Sequence, residues 1–227
     1  MRTLRQMKKE IVITKDGSHS IQIPELNVTY HSIHGAIQES MHVFIKEGVQ
    51  YMTDQFPNQP LRIFEMGFGT GLNAFLTAIE AEEKNIQIHY TAIEQFPISE
   101  EEAAQLNYIE ALDHKEIFQK LHSTKWNKDV EITPKFVLRK EHDNLLSYSP
   151  SEPFTLIYYD AFAPSAQPEL WTEEVFKRLY HMLTVNGILV TYCSKGDVRR
   201  AMIAAGFVVH KLPGPPGKRE MLRAIKI

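Results

Sequence analysis

The segment that most constrains this chain is residues 63–73, where an apolar run ends in an acid and glycine then occupies every second position, at Gly67, Gly69 and Gly71. Residues 72–83 follow with the composition of a helix. A strand, a tight loop and a helix N-terminus in this order bind nucleotide-like ligands, because glycine accepts positive φ and lets a ligand contact the backbone. The sequence therefore predicts a nucleotide-type cofactor at this loop.

The acid before the loop, Glu65, narrows the choice of cofactor. A carboxylate at this point repels the pyrophosphate of a dinucleotide, whereas it attracts a cofactor that carries positive charge. S-adenosylmethionine carries an ammonium and a sulfonium group. The motif therefore favours an S-adenosylmethionine-dependent methyltransferase over a nicotinamide-dependent oxidoreductase, which remains an alternative.

Composition limits the cellular setting and the partners. The chain has 227 residues, 43% of them hydrophobic, and a single cysteine, Cys193, which fits one globular domain in a reducing cytoplasm. With 25 basic and 28 acidic residues the net charge is −3, so a polynucleotide would have to bind a local basic patch. No apolar run reaches the ~18 residues needed to cross a membrane. We expect a cytoplasmic protein without membrane contact, and a monomer rather than an oligomer.

Apolar segments with strand and helix patterns alternate along most of the chain. This order predicts an α/β, Rossmann-like fold of the class I methyltransferase type, with a mostly parallel seven-stranded sheet and a C-terminal antiparallel hairpin. Residues 1–34 are predicted to form a small β-rich extension, and residues 35–227 the methyltransferase domain. The main predicted strands cover 61–66, 86–93, 136–139, 155–159, 187–192, 207–212 and 221–227, and the main helices 37–56, 72–83, 99–106, 114–122, 168–183 and 198–205.

Acids follow several of the predicted strands, at the sheet edge where ligands bind in this class of fold. Glu94 follows Gly71 at close to the ~20-residue spacing at which a carboxylate reaches a ribose hydroxyl pair. Its alternative role is a solvated acid at a strand end. Asp143 can accept a hydrogen bond from the adenine amino group, and a helix cap before Asn144 explains it equally well.

Asp160 ends the most apolar of the strands, 155–159, and starts the segment Asp-Ala-Phe-Ala-Pro. An acid there is partly desolvated, so we expect Asp160 to face the transferred methyl group and the acceptor, with a turn cap as the alternative. His31, His34 and His42 lack the spacing of a zinc site, and we expect no metal.

Basic residues cluster late in the chain, and Lys218 and Arg219 lie on a Gly/Pro-rich loop between the last two strands. With Lys195 and Arg199 they are predicted to contact the phosphates of a nucleic-acid substrate. Ordinary solvated faces of a helix and a hairpin are the alternative.

These segments together resemble the MnmC-like methyltransferase family, which comprises the methyltransferase half of a bifunctional bacterial tRNA wobble-uridine enzyme and its stand-alone relatives, MnmD. The glycine loop is shared with many methyltransferases, whereas the Gln-Glu-Ser, Asp-Ala-Phe-Ala-Pro and Gly-Lys-Arg-Glu segments are far more particular. The matching segments are residues 35–45, 65–73, 160–164 with Trp171, 187–192 and 217–221.

The resemblance implies S-adenosylmethionine-dependent N-methylation of 5-aminomethyl(-2-thio)uridine at the tRNA wobble position, with Asp160 facing the aminomethyl group. It also implies cofactor contacts from Tyr30, Gln38, Glu39 and Asn73, and substrate contacts from Phe162, Pro164 and Trp171. Because the sequence ends at Ile227, we expect no flavin-dependent oxidase half and no FAD. The alternatives are an aminopropyltransferase or small-molecule amine N-methyltransferase of the same fold, and a non-catalytic RNA-binding module.

Overall fold

The computed structural model describes residues 7–57 and 59–227, so the first six residues of the predicted extension lie outside the described part. The extension begins with three short antiparallel strands, β1 (Glu10–Ile13), β2 (His19–Ile23) and β3 (Val28–Thr29). Asp16 shapes the turn between β1 and β2, because its Oδ1 accepts hydrogen bonds from the Ser18 backbone N–H at 3.1 Å and the Thr14 hydroxyl at 2.7 Å.

A continuous helical segment replaces the single α-helix predicted over 37–56. It begins as α1 (Ala36–Ser40), continues as π-helix over Met41–Gln50 and ends as α2 (Tyr51–Gln55). The Tyr51 N–H donates to the carbonyl of Lys46, five residues earlier, which is the π-helical pattern. One side of this segment is buried against the sheet.

An eight-stranded sheet forms the centre of the molecule, in the order β10-β11-β9-β8-β4-β5-β7-β6. The strands are β4 (Leu61–Met66), β5 (Ile88–Ile93), β6 (Asp129–Thr133), β7 (Phe136–Glu141), β8 (Phe154–Tyr159), β9 (Leu183–Thr191), β10 (Val208–Pro213) and β11 (Glu220–Ile225). The helices that follow β4 are α3 (Leu72–Glu83), α4 (Glu100–Ala103), α5 (Tyr108–Leu112), α6 (Lys115–Ser123), α7 (Glu173–Met182) and α8 (Gly196–Ala204). Short 3₁₀ helices occur at Pro24–Leu26 and Pro168–Trp171.

The predicted fold class and the C-terminal hairpin are confirmed, and the sheet has one strand more than the seven expected. The additional strand is β6, which pairs antiparallel with β7. Its sequence has exposed or half-buried residues except at Ile132, so it lacks the apolar pattern that marked the other strands. Edge strands are solvated, which explains why their sequences carry a weak strand pattern.

The inner strands are buried on both faces, as parallel strands covered by helices must be. Neighbouring residues of one strand pack into opposite layers of the core: Tyr158 lies with Phe44 and Tyr90 in one layer, and Tyr159 lies with Phe176 in the other. This two-sided burial holds the carboxyl ends of the central strands rigidly in register.

The carboxyl ends of β4, β5 and β8 meet at the middle of the sheet. β4 pairs in parallel with β5 on one side and with β8 on the other, with Glu65 opposite Ala92 and opposite Tyr158. The chain passes from β5 to the edge strand β6, comes back through β7 and then crosses to β8 on the other side of β4. Ligands bind in the crevice beyond such a reversal of strand order, so the fold places Glu65, Glu94 and Asp160 around one site.

Candidate active site

The glycine loop has the backbone geometry that the sequence predicts. Gly67, Gly69 and Gly71 have φ values of 89°, 49° and 74°. At Gly71 a side chain is also excluded by packing, because a Cβ atom would lie 2.9 Å from His122 Nε2 and 3.1 Å from Phe68 Cζ. The loop thus packs against α6 and leaves its other side free to line the cavity at the sheet edge.

Asn73, in the first turn of α3, joins two of the predicted acids. Its Nδ2 donates one hydrogen bond of 2.9 Å to Glu65 Oε1 and another of 2.9 Å to Asp160 Oδ2. Glu65 is only 1% exposed, and the Asn73 Oδ1 has no hydrogen-bond partner among the described residues. Buried acceptors without a partner are costly. A ligand that brings N–H donors and positive charge fits this arrangement.

The electrostatics of the acids point in the same direction. Burial raises the pKa of Glu65 well above its usual value, and the nearby Asp160 and Glu94 raise it further, against the Asn73 hydrogen bond. Burial raises the pKa of Asp160 to about 7, Glu39 adds to this, and Asn73 and Lys218 oppose it. These carboxylates repel one another, so a cationic ligand between them is stabilised.

Glu94 and Asp143 lie at the other end of the cavity. Glu94 accepts the Gly69 N–H at 3.1 Å and the Phe96 N–H at 2.8 Å, so its carboxylate fixes the glycine loop as well as facing the cavity. Asp143 caps a turn by accepting the Asn144 N–H at 2.7 Å and the Ser147 hydroxyl at 2.8 Å, and it also lines the cavity. No helix begins directly after Asp143, so the helix cap expected as an alternative is replaced by a turn cap, from a position that also borders the cavity.

One cavity connects these groups. It extends from Glu94 and Asp143 to Asn73 and Asp160, with Tyr30 among its lining residues. Apolar side chains line much of its wall, among them Met66, Ile93, Leu145, Leu146, Phe162 and Leu170. Apolar walls with a few convergent polar groups are typical of cofactor sites. The arrangement can hold a flat base and a sugar at one end and a charged chain at the other.

Aromatic side chains frame the cavity near Asp160. The rings of Tyr30 and Phe162 meet edge to face at 5.2 Å between centroids. Trp171 is buried behind this loop, and its Nε1 donates to the carbonyl of Phe162 at 2.8 Å. Trp171 therefore holds the loop that carries Phe162 in place, and Pro164 is half-buried on the same loop.

Lys218 does not extend into solvent as a phosphate ligand would. Its ammonium forms an ion pair with the carboxylate of Glu39 and lies 4.0 Å from the centroid of the Tyr192 ring. Tyr192 in turn donates to the carbonyl of Ala161 at 2.9 Å. The hairpin loop thus brings a cation to the site.

The other predicted contacts are spread around this centre. Gln38 is exposed, and its backbone N–H donates to Asp16 Oδ2 at 3.0 Å. Lys195 and Arg219 are exposed and Arg199 is half-buried. Across residues 7–57 and 59–227, no group of three or more His, Cys, Asp or Glu is arranged to hold a metal ion. Within the same residues no helix has the length and apolarity to cross a bilayer.

Sequence reasoning missed two residues of the site, His31 and Tyr192. His31 lines the cavity and its Nε2 lies 2.6 Å from the Thr70 hydroxyl, and burial lowers the pKa of its imidazole to about 4. A neutral ring is therefore expected at physiological pH. Tyr192 directly follows β9. The acids were identified because they follow strands of the sheet, and the same signal could have identified Tyr192.

A comparison with known families decides the class of the chain. Residues 99–227, more than half of its length, match the model of a family described as S-adenosyl-L-methionine-dependent methyltransferase. The chain belongs to this family.

Relatives of this methyltransferase are named tRNA 5-methylaminomethyl-2-thiouridine biosynthesis bifunctional protein MnmC. The protein from Cupriavidus metallidurans is 29% identical over 93% of this chain and 33% of its own length, and that from Leptospira borgpetersenii is 30% identical over 85% and 31%. The chain therefore spans about a third of the length of these curated relatives.

Solved structures support the fold of the methyltransferase. The crystal structure of MnmC2 from Aquifex aeolicus matches with a TM-score of 0.82 at 23% identity, covering 98% of this chain and 71% of that one. Spermidine synthase from Thermotoga maritima matches with a TM-score of 0.60 at 13% identity, covering 97% and 69%. At these identities the likeness concerns the fold alone.

Proposed function

We propose that this methyltransferase acts on tRNA and N-methylates 5-aminomethyl(-2-thio)uridine at the wobble position, giving the 5-methylaminomethyl form. The observation that carries the proposal is Asp160, which lies at the end of the cavity, is held by Asn73 and has a pKa raised to about 7 by burial. The names of the relatives, which share about 30% identity over most of this chain, support the choice of substrate.

Asp160 suits an amine acceptor. An alkylammonium has a pKa near ~10, so most of the substrate amine is protonated at neutral pH and cannot attack. Burial of the amine lowers its pKa, and the raised pKa of Asp160 lets this carboxylate accept an amine proton or hydrogen bond. S-adenosylmethionine supplies a methyl group on a cationic sulfur. Asp160 aims the nitrogen lone pair and stabilises the positive charge that grows on nitrogen.

The remaining residues of the cavity orient the donor. Glu94 faces the ribose hydroxyls while its hydrogen bonds hold Gly69 and Phe96 in place. Asp143 and the apolar wall border the base, and Glu65 with Asn73 contributes negative charge near the sulfonium. Fixing two reactants in line in this way removes much of the entropic barrier to the transfer.

Recognition of tRNA uses a different set of groups. Tyr30 and Phe162 offer aromatic faces beside Asp160, on which an unstacked wobble base can lie. Lys195, Arg199 and Arg219 provide cations for phosphates near the site. The ammonium of Lys218 is paired with Glu39, so Lys218 is not among the proposed phosphate contacts.

The test uses tRNA isolated from a strain that lacks this protein. The tRNA is incubated with the purified chain and S-adenosylmethionine, and its nucleosides are separated and identified by mass spectrometry. We expect the 5-aminomethyl nucleoside to gain one methyl group. The control is the same reaction without the donor. No methylation of tRNA, with methylation of a free amine instead, would refute the proposal.

The rival aminopropyl transfer is tested in parallel. The same chain is incubated with putrescine and decarboxylated S-adenosylmethionine, and polyamine products are measured. The proposal predicts no product above the level of a reaction without protein. Efficient formation of spermidine would replace the proposed activity with the alternative.

A further inference from the structure

Glu39 and Lys218 form an ion pair near Asp160, just outside the residues that line the active-site cavity. Glu39 is 7% exposed, and its Oε2 also accepts the Ser32 N–H at 3.2 Å. Its negative charge raises the pKa of Asp160, and the charge of Lys218 lowers the pKa of both Asp160 and His31. Both charges therefore act on residues that line the cavity.

The loop before Lys218 is built to bring the ammonium to this place. Gly217 has a φ of 83°, and a Cβ atom there would lie 2.5 Å from His34 Cδ2, so the loop presses against the segment before α1. His42 Nε2 lies 2.8 Å from the carbonyl of Pro213 and fixes the other side of the loop. An ion pair that is partly removed from water, as this one is, stabilises a fold little, because desolvation offsets the attraction. A role in ligand binding explains the Glu39–Lys218 pair better than a role in stability.

The charges elsewhere in the cavity pose a problem for the donor of this family. S-adenosylmethionine ends in an α-amino acid zwitterion, with one ammonium and one carboxylate. Glu65, Glu94, Asp143 and Asp160 attract the ammonium and the sulfonium but repel the carboxylate. Lys218 is the cation that acts on both Asp160 and His31.

We propose that Glu39 and Lys218 form the subsite for the amino acid end of the donor, with Glu39 facing its ammonium and Lys218 its carboxylate. A carboxylate and an ammonium side by side are the electrostatic complement of a zwitterion. Lys218 is then the residue that distinguishes S-adenosylmethionine from its decarboxylated form, which keeps both positive groups but has no carboxylate. The inference rests on the donor of the family and is independent of the acceptor.

The test measures binding of S-adenosylmethionine and of decarboxylated S-adenosylmethionine by calorimetry, without tRNA. The wild-type chain is expected to prefer the carboxylated donor by at least about tenfold. Lys218→Met keeps much of the length of the side chain and removes its charge, so this preference should fall about tenfold. Lys218→Arg keeps the charge and should keep the preference within about threefold. Because each ratio is internal to one protein, a partly unfolded sample does not distort it.

The matched control is Lys211→Met, which removes a lysine of the same hairpin whose exposed ammonium pairs with Glu220 at 2.9 Å. Its preference should equal that of the wild type. An equal affinity of the wild type for both donors overturns the proposal without any variant. So does an equal loss of both affinities in Lys218→Met, which would mean that the ion pair only fastens the loop. Normal binding results with no methylation of tRNA would count against the proposed substrate alone.

Discussion

The amide nitrogen of Asn73 donates a hydrogen bond of 2.9 Å to Asp160 Oδ2 and so ties the first turn of α3 to the end of β8. The same nitrogen holds Glu65 at 2.9 Å. One amide therefore fixes two carboxylates that would otherwise repel each other. The distance between donor site and acceptor site is set by α3 and β8, two of the most buried elements of the fold.

The first prediction concerns the pH dependence of the reaction. The pKa of Asp160 is raised to about 7 mainly by burial, so in the free enzyme kcat/KM for the donor should fall as the pH drops through about 7. A bound cationic donor stabilises the carboxylate, so the corresponding fall in kcat should lie at lower pH. Steady-state rates measured from about two pH units below this pKa to about two above it give the pH at which each parameter falls. If kcat and kcat/KM fall at the same pH, the assignment of this titration to Asp160 is contradicted.

The second prediction separates the chemistry of Asp160 from donor binding. Asp160→Asn keeps the size of the side chain and an oxygen that can accept from Asn73, but it cannot hold a proton from the amine. The rate should fall by roughly 10²–10⁴-fold, while the affinity for S-adenosylhomocysteine changes by only a few fold. Single-turnover assays and calorimetry measure the two quantities. Normal turnover would remove Asp160 from the mechanism.

The third prediction tests the phosphate contacts. Lys195→Ala with Arg219→Ala should weaken tRNA binding and reduce the slope of log K against log salt by about 0.9 for each phosphate that the variant no longer neutralises. Filter binding at several salt concentrations measures the slope. Lys177→Ala is the control, because this lysine pairs with Glu173 on α7 and is assigned no phosphate. If the double variant and the control have the same slope, these residues do not contact tRNA.

The fourth prediction concerns the stability of the glycine loop. Gly71→Ala places a Cβ at positive φ and within 2.9 Å of His122, so it should cost clearly more than the ~1–2 kcal/mol of the backbone conformation alone. Gly17→Ala is the matched control, since its φ is 84° and nothing lies within 4 Å of the added atom. Urea unfolding of both variants gives the difference. Equal losses of stability would show that packing at Gly71 is unimportant.

The fifth prediction concerns Lys140, which is 2% exposed and donates to the carbonyls of Leu121 and His122 at 2.8 and 2.9 Å. Burial lowers the pKa of its ammonium to about 8, whereas the unfolded chain keeps the usual value near 10.5. Above pH 8 the unfolded state therefore binds more protons, and the free energy of unfolding rises with pH.

The measurement compares the wild type with Lys140→Met by urea unfolding at several pH values, from about one unit below the lowered pKa to about one and a half above it. The difference in stability should grow in favour of the wild type as the pH rises. The comparison cancels the titration of other groups. A difference that does not change with pH would mean that Lys140 titrates normally.

Much of the fold could be predicted from local pattern. The apolar runs of β4 and β8 are marked because both faces of these strands are buried, and the glycine loop is marked because its positive φ values favour glycine over other residues. The π-helical stretch within 36–55 and the edge strand β6 could not be predicted in the same way. Their hydrogen bonding depends on neighbours and leaves little periodicity in the sequence.

The sequence by itself determined which acids follow the central strands, because a strand ends where its apolar run ends. Glu65, Glu94 and Asp160 were identified on that basis; the fold brings Glu94 and Asp160 to one cavity and leaves Glu65 buried, hydrogen-bonded to Asn73 of the cavity wall. Only the tertiary structure decided that Asn73 joins two of them and that Lys218 pairs with Glu39, which is distant in the sequence. The physical reason is that strand ends are set by local pattern, whereas the partner of a charged side chain is set by the packing of distant elements.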